Sequence, residues 1–348
     1  MGSPAVAGVV AFAATLVLTP LFRRGARRFG FLDRPAERSS HTGVVPRAGG
    51  TAVVVAVGLA LALAPSLWWG RPAAAALLAG ALVLAAVGLC DDRVGLSPAV
   101  RLVCQVAVAV GFVSVAGALD RVPLPHPLDV TLGPAGPAFS VLWIVAVINF
   151  YNFMDGIDGL ASLQAVVTGA GIAVAAFDPF ASFLGAALAG GAAAFLLFNW
   201  SPASIFLGDG GSSVLGFAFA ALPFVATPGS TPAAVTFVAL SLWLFLADAT
   251  WTLFRRVARG ERRLHQAHRE HLYQRLVSAG WSHPRVSLGL GAASAVLTLA
   301  ALLALRSPRG AAWWASILLA LAAVSAEILL VRGRERGARR PAETGEGP

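Results

Sequence analysis

The 348-residue chain contains no lysine; all 26 of its basic residues are arginine. That absence removes the P-loop lysine and every mechanism that passes through a lysine Schiff base. Charge of either sign is scarce. Only 12% of the residues are charged, against roughly 25% in a soluble domain, too few to clothe a globule of 35.7 kDa in water. The two cysteines, Cys90 and Cys104, lie in or beside apolar runs. They offer neither a disulfide framework nor a zinc ribbon and read as small buried hydrophobes. No positive segment precedes the first apolar run, as a cleaved signal would require, so residues 4–22 are expected to remain as a helix.

What the chain has in abundance is apolar surface: 57% hydrophobic residues and a mean hydropathy of +0.75. About 20 consecutive apolar residues span a bilayer as a helix. Runs bounded by Arg, Pro and Gly predict an all-α polytopic membrane protein with about 10–11 transmembrane helices. They fall near 4–22, 48–64, 73–90, 99–118, 138–151, 162–177, 181–199, 213–227, 232–254, 285–305 and 311–331. Alternating the connections between two faces puts 22 arginines on one side and 4 on the other: Arg71, Arg121, Arg306 and Arg309. The positive-inside rule makes the crowded face cytoplasmic, with the N-terminus outside and the C-terminus inside. Residues 1–331 read as a single integral-membrane domain. Residues 332–348 read as a disordered cytoplasmic tail whose arginines lie against anionic lipid. No soluble domain is visible, so any active site has to be built at the membrane surface.

The acids are distributed in a way that points to chemistry. Asp91 and Asp92 follow the third span, Asp155 and Asp158 the fifth, and Asp209 the seventh. A carboxylate at a helix centre costs about 2.5–3.5 kcal/mol, and all five fall instead at the cytoplasmic exits of odd-numbered helices. Five carboxylates on one face repel one another and need a cation, most naturally Mg2+ beside a phosphate substrate. In INFYNFMDGIDGLA, Asn149, Asn152, Asp155 and Asp158 recur every third residue and are expected along one face of a helix end. Two amide oxygens and two carboxylates there could share a metal and the hydroxyls of a sugar or nucleoside. FLGDGGS sets Asp209 among Gly208, Gly210 and Gly211. Amides at such a helix start favour a phosphate, while Asp209 can hold the metal.

The loop 255–285 supplies positive charge. It combines eight arginines with His265, His268 and His271, spaced three apart, and Arg makes bidentate contacts to phosphate oxygens. HREH is not the zinc-protease signature HExxH. In SSHTGVVPRAGG, His41 and Arg47 are further candidate anion contacts, and Asp248 in the ninth span is expected either to support the site residues from behind or to pair with Arg255.

Four ordered segments then resemble a known family: GLCDDRVGLSPAVRLVCQ, NFYNFMDGIDGLA, FLGDGGS and the His-bearing loop, between about residue 20 and residue 285. They resemble the polyprenyl-phosphate N-acetylhexosamine-1-phosphate transferases, the superfamily of the MraY, WecA and TagO types (glycosyltransferase family 4). The resemblance implies a multi-pass enzyme of the bacterial inner membrane. It implies transfer of a sugar 1-phosphate from a UDP-N-acetylhexosamine to undecaprenyl phosphate, with release of UMP and dependence on Mg2+, or Mn2+ in its place. Carried over by position, it implies catalysis at Asp91 and Asp92, metal at Asp209 with Asn152 beside it, and a nucleotide-sugar site lined by Asp155 and Asp158. With the residue-level readings above, the expected substrate contacts are Asn149, Asp155, Asp158, Gly208, Gly210, His41, Arg47, His268, Arg269 and His271. AHREHLYQRL resembles the form found in O-antigen initiating enzymes of the WbpL type, and the family suggests a homodimer. No nucleic-acid partner is expected. The rival class is a proton-coupled transporter or a lipid-linked sugar flippase. Its ionisable groups would lie near the bilayer midplane, whereas these five acids crowd one surface.

Overall fold

The computed structural model describes residues 2–33, 43–226, 229–261, 269–307 and 310–343. Their regular elements are helices, apart from a short antiparallel pair between β1 (Leu32–Asp33) and β2 (Val45–Pro46) and an isolated bridge between Arg121 and Thr131. The helices are α1 (Pro4–Phe29), α2 (Gly50–Ala62), α3 (Pro72–Val94), α4 (Pro98–Ala116), α5 (Gly136–Phe153), α6 (Leu160–Ala175) and α7 (Pro179–Asn199). They continue with α8 (Asp209–Ala221, prolonged by a 3-10 turn to Val225), α9 (Thr231–Ser241), α10 (Trp243–Ala258), α11 (Leu272–Ser278), α12 (His283–Leu305) and α13 (Ala311–Glu343). Local sequence sets many of the ends. Proline opens α1, α3, α4 and α7, where its missing N–H costs nothing. Gly30 and Gly95 close α1 and α3 at φ of 74° and 70°, a left-handed cap that side-chain-bearing residues resist.

Among the described residues, seven helices (α1, α3, α4, α5, α7, α12 and α13) are long and apolar enough to cross a membrane. The pair α9 and α10, bent by 73° at Leu242, makes an eighth if it is one span. The remaining apolar runs, α2, α6 and α8, are shorter helices. The expected 10–11 spans thus resolve into seven or eight long ones with three short ones among them, and the single span expected at 232–254 is a broken one. Two of the short helices are short for a visible reason. The Gly49 and Gly50 amides donate to the Phe206 and Leu207 carbonyls at 2.9 and 2.8 Å. The segments leading into α2 and α8 are thereby paired side by side, and both helices start next to each other inside the bundle. α8 is the centre of the molecule: every residue from Gly210 to Ala221 is buried.

The bundle is fastened at both ends. At the end remote from the aspartates, Arg71 makes a bidentate contact with Asp178 at 3.0 and 2.8 Å and reaches the Val225 carbonyl at 3.3 Å. Asp178 in turn caps α7 through the Phe180 and Ala181 amides. One charge pair therefore joins α3, α7 and the end of α8. At the opposite end α13 runs on past Val331, and Arg275 meets Glu335 at 2.7 Å. Residues 332–343, expected as the start of a disordered tail, thus continue the last helix. Similarly, α1 extends through its arginines to Phe29. Cys90, expected to be buried, is exposed, and Cys104 is half-buried.

One acid inside a long span went unweighed in the sequence. Glu327 on α13 is buried, and neither carboxyl oxygen has a hydrogen-bond partner among the described residues. A buried polar group left unsatisfied costs about 1–3 kcal/mol. Glu327→Leu, which fills the same space without the polar atoms, is therefore expected to raise the detergent-solubilised protein's thermal midpoint while leaving turnover intact. A proton-relay role would give the opposite pair of results, with loss of activity at unchanged or lower stability.

Candidate active site

The site is built where α3, α5 and α8 cross, and glycines allow the crossing. A Cβ on Gly88 of α3 would overlap the Gly210 backbone and stand 2.7 Å from the Asp209 carbonyl carbon. A Cβ on Gly50 of α2 would stand 2.9 Å from the Gly211 amide nitrogen. Backbone therefore lies on backbone, the close approach that small residues permit between membrane helices. It brings the last turn of α3, with Asp91 and Asp92, against the first turn of α8, with Asp209.

Asp92, its side chain fully buried, turns its Oδ1 to the Asp209 amide at 3.1 Å and also receives the Gly210 amide. It caps α8 and sits at the positive end of that helix dipole. The helix start expected to cradle a phosphate at Gly208 and Gly210 is thus already engaged by a carboxylate of the chain. Gly208, at φ 79°, lets the backbone pass this close: a Cβ there would stand 3.0 Å from the Ala48 amide. The second oxygen, Asp92 Oδ2, is buried and has no partner among the described residues.

Asp91 and Asp209 touch each other through their carboxylates. Two carboxylates in contact cannot both stay ionised without a cation beside them. Arg101, in the first turn of α4, supplies one: its Nη1 lies 2.8 Å from Asp91 Oδ2 and 3.4 Å from Asp209 Oδ2. Asp91 Oδ1 also accepts the Leu96 amide at 2.6 Å. On the other side Asn152, in the last turn of α5, donates to Asp209 Oδ1 at 2.7 Å and to Ser212 Oγ at 2.8 Å. Arg47, just before α2, pairs with Asp33 at 3.2 Å and lies 3.9 Å from Asp92. Burial works against the Arg47 charge, but Asp33, Asp92, Asp209 and Asp155 around it hold the guanidinium protonated above its ordinary range.

The polar stripe expected along one helix face is split, because α5 ends at Phe153. Asn149 faces α4, donating to Gln105 at 2.7 Å. Asp155 lies in the following turn and belongs electrostatically to the Asp209 and Asp92 cluster. Burial first, and Asp209 next, push its carboxyl well above the usual range. Asp158 is fastened elsewhere: it accepts the Ala203 amide at 3.2 Å and faces His283 Nδ1 at 3.4 Å, while its own carbonyl accepts from Ser287. Burial raises its carboxyl, but His283, Ser201 and the Ala203 amide outweigh that and hold it below the ordinary value.

Asp248 does not take Arg255 as its main partner. Its carboxylate accepts from Thr252, the His271 ring and the amides of Leu272 and Tyr273. His271 is accordingly a buried cap for α11, 4% exposed, with its ring stacked on Tyr273. Arg269 lies exposed just before it. His41, His265 and His268 lie outside the described residues.

The structure therefore gathers Asp91, Asp92, Asn152, Asp209 and Arg47, with Asp155 beside them, and ties Asn149, Asp158 and His271 to neighbouring helices. The sequence reading missed Arg101, Gln105, Tyr273 and His283. Arg101 carried a signal: it stands ten residues after Asp91, in the turn that follows the Gly95 cap, where a returning helix can meet the acid. Among the described residues, no three of His, Cys, Asp and Glu form a closed metal cage. The donors present are nonetheless hard oxygens: the Asp91 and Asp209 carboxylates, and the amide oxygen of Asn152. They suit a cation such as Mg2+, which binds through one or two carboxylates plus substrate phosphates rather than a full protein cage.

The sequence profile of glycosyl transferase family 4 matches residues 74–227, a stretch that contains this crossing of α3, α5 and α8. Among curated proteins, the chain is 28% identical over 283 residues to a probable undecaprenyl-phosphate N-acetylglucosaminyl 1-phosphate transferase of Bacillus subtilis, covering 80% of this chain and 78% of that one. It is 30% identical over 321 residues to the decaprenyl-phosphate N-acetylglucosaminephosphotransferase of Mycolicibacterium smegmatis (82% and 78%). It is 29% identical over 301 residues to the undecaprenyl-phosphate alpha-N-acetylglucosaminyl 1-phosphate transferase of Salmonella typhi (82% and 80%).

Proposed function

Since the chain belongs to glycosyl transferase family 4, we propose that it moves N-acetylglucosamine 1-phosphate from UDP-N-acetylglucosamine to a polyprenyl phosphate and releases UMP. That reaction begins a lipid-linked glycan of the bacterial cell envelope. The observation that carries the reading is the meeting of Asp91, Asp209, Asn152 and Arg101 at one end of an apolar bundle. There a lipid phosphate and a soluble nucleotide sugar can both arrive. The end that holds the site also collects most of the arginines, so it is assigned to the cytoplasm, with the N-terminus outside and the C-terminus inside.

The attacking group needs little activation. A phosphate monoester has its second pKa near 6, so the lipid phosphate is mostly a dianion at pH 7. The difficulty is repulsion, since a dianion has to reach the β-phosphorus of a diphosphate. An oxygen of the lipid phosphate forms the new bond to that phosphorus, and the bond to the bridging oxygen breaks as UMP leaves. Asp209, Asn152 and Asp91 are the residues that would hold Mg2+, which when bound offsets the negative charge of the phosphates. Asp92 holds α8 in place and, through Oδ2, is suited to orienting the lipid phosphate or taking its residual proton. Arg47 and Arg101 balance the carboxylates beside them. Asp155 lines the nucleotide-sugar side, together with Arg269.

Residues 1–331 act as one membrane domain in this reading, and the enzyme works as a homodimer. The AHREH segment favours a WbpL-like subgroup within the family, which a donor panel tests. With purified protein, polyprenyl phosphate and Mg2+, UMP release fastest with UDP-N-acetylglucosamine supports the stated donor, and a faster rate with another UDP-N-acetylhexosamine reassigns it. Arg269→Ala is expected to raise the KM for the UDP-sugar by about tenfold, the size of one charged phosphate contact, and to leave the KM for the lipid unchanged. The reverse ordering would move that segment to the lipid side.

A further inference from the structure

α10 carries an acid that the chemistry above does not use. Asp248 is completely buried, yet donors surround its carboxylate. Oδ1 accepts the Leu272 amide at 2.8 Å, the Thr252 hydroxyl at 3.1 Å and the His271 ring nitrogen at 3.2 Å; Oδ2 accepts the Tyr273 amide at 3.2 Å. Three of these donors belong to the start of α11, which follows Asp248 by 24 residues at Leu272. A helix of seven residues is too short to hold itself, and its first amides lack acceptors within the helix. The carboxylate of α10 therefore fixes where α11 begins.

From α11 the contact passes to the site. Tyr273, buried, donates its hydroxyl to the Phe153 carbonyl at 3.0 Å. Its ring also lies against Gly156, where a Cβ would stand 3.2 Å from Tyr273 Cζ and overlap the hydroxyl. Phe153 and Gly156 flank the turn that carries Asp155 and follows Asn152, the donor to Asp209. The His271 ring stacks between these elements, 5.8 Å from Tyr273 and 6.1 Å from Phe153. On the chain's other side, Arg269 stands two residues before His271.

Resting on the reading of function above, we propose that Asp248 is a positioning residue: it seats α11, and through Tyr273 it holds the 153–156 turn in register with Asn152 and Arg269. It acts on the nucleotide-sugar side of the reaction and not on the lipid side.

The test is steady-state UMP release with each substrate varied in turn. Absence of UMP from the wild-type protein would count against the function, and the role of Asp248 is then decided by exchange alone, as below. With an active wild type, Asp248→Asn is expected to lower kcat/KM for UDP-N-acetylglucosamine by about 10- to 100-fold, the scale of a misplacement of about 1 Å. Most of that loss should appear as a higher KM, with the KM for polyprenyl phosphate unchanged. A merely structural residue would reduce the active fraction, lowering kcat with both KM values fixed. That result, or unchanged kinetics, overturns the proposal. Tyr273→Phe keeps the buried ring and the α11 cap but removes the bond to Phe153. It should shift the same KM in the same direction, and an unshifted KM there also overturns the proposal. Hydrogen exchange at the Leu272 and Tyr273 amides gives a readout without turnover: it should accelerate in Asp248→Asn, and unaltered protection would contradict the anchoring.

Discussion

Asp209→Asn is expected to reduce UMP release on the order of 10³-fold, the scale of losing one charge-stabilising group at a reacting centre, and to abolish the response to added Mg2+. The substitution is conservative in shape. Asn152 still finds an oxygen to donate to, and the Asp209 backbone amide, which Asp92 caps, is untouched. Folding should therefore survive, and an unchanged thermal midpoint is part of the expected result. What disappears is one negative charge at the point where α3, α4, α5 and α8 meet. Arg101, which faces both Asp91 and Asp209, is left with a single carboxylate. A variant retaining full turnover with normal Mg2+ dependence would remove Asp209 from the metal role.

The second large effect tests the framework rather than the charges. Gly88→Ala adds one methyl group where α3 lies on α8, and the three nearest atoms are all backbone: the Gly210 Cα and N and the Asp209 carbonyl carbon. No side chain can rotate away, so the helices have to separate by about 1 Å. Overpacking of this kind costs about 1–3 kcal/mol, and a shift of that size at a reacting centre can cost about 10²-fold in rate. The expected result is a lower thermal midpoint together with a fall in kcat of that order. Gly58→Ala on α2, where a Cβ meets nothing within 4 Å, serves as the control and should change neither. A Gly88→Ala protein with normal stability and turnover would show that the α3 and α8 backbones are not in contact.

How much of this was legible in the sequence depended on the range of the interactions involved. Hydropathy exposed the helical membrane architecture because burial in lipid is a property of each segment by itself. Motif spacing found Asp91, Asp92, Asp209 and Asn152 because each stands at the end of an apolar run. The lengths of the spans were less legible, since the pairing of Gly49 and Gly50 with Phe206 and Leu207, which starts the short helices α2 and α8, joins segments far apart in sequence. The stripe from Asn149 to Asp158 failed for a local reason: α5 stops at Phe153 and leaves the two aspartates in a turn. Of the two roles expected for Asp248, support of the site or a pair with Arg255, the structure replaces the pair. Arg255 lies within reach along the chain, whereas the amides of α11 reach Asp248 only by folding. Gly208 and Gly210 suggested an anion at the start of α8, and one is there. It is the chain's own Asp92, a pairing that no spacing rule connects.

The central claim is that the bond broken lies between the two phosphorus atoms of the donor. UDP-N-acetylglucosamine labelled at the β-phosphorus tests it directly when incubated with the purified protein, polyprenyl phosphate and Mg2+. Transfer of N-acetylglucosamine 1-phosphate predicts that the label moves into the lipid fraction while unlabelled UMP is released. Label remaining in the aqueous phase as UDP, with sugar transferred to the lipid, would mean ordinary glycosyl transfer and would contradict the account.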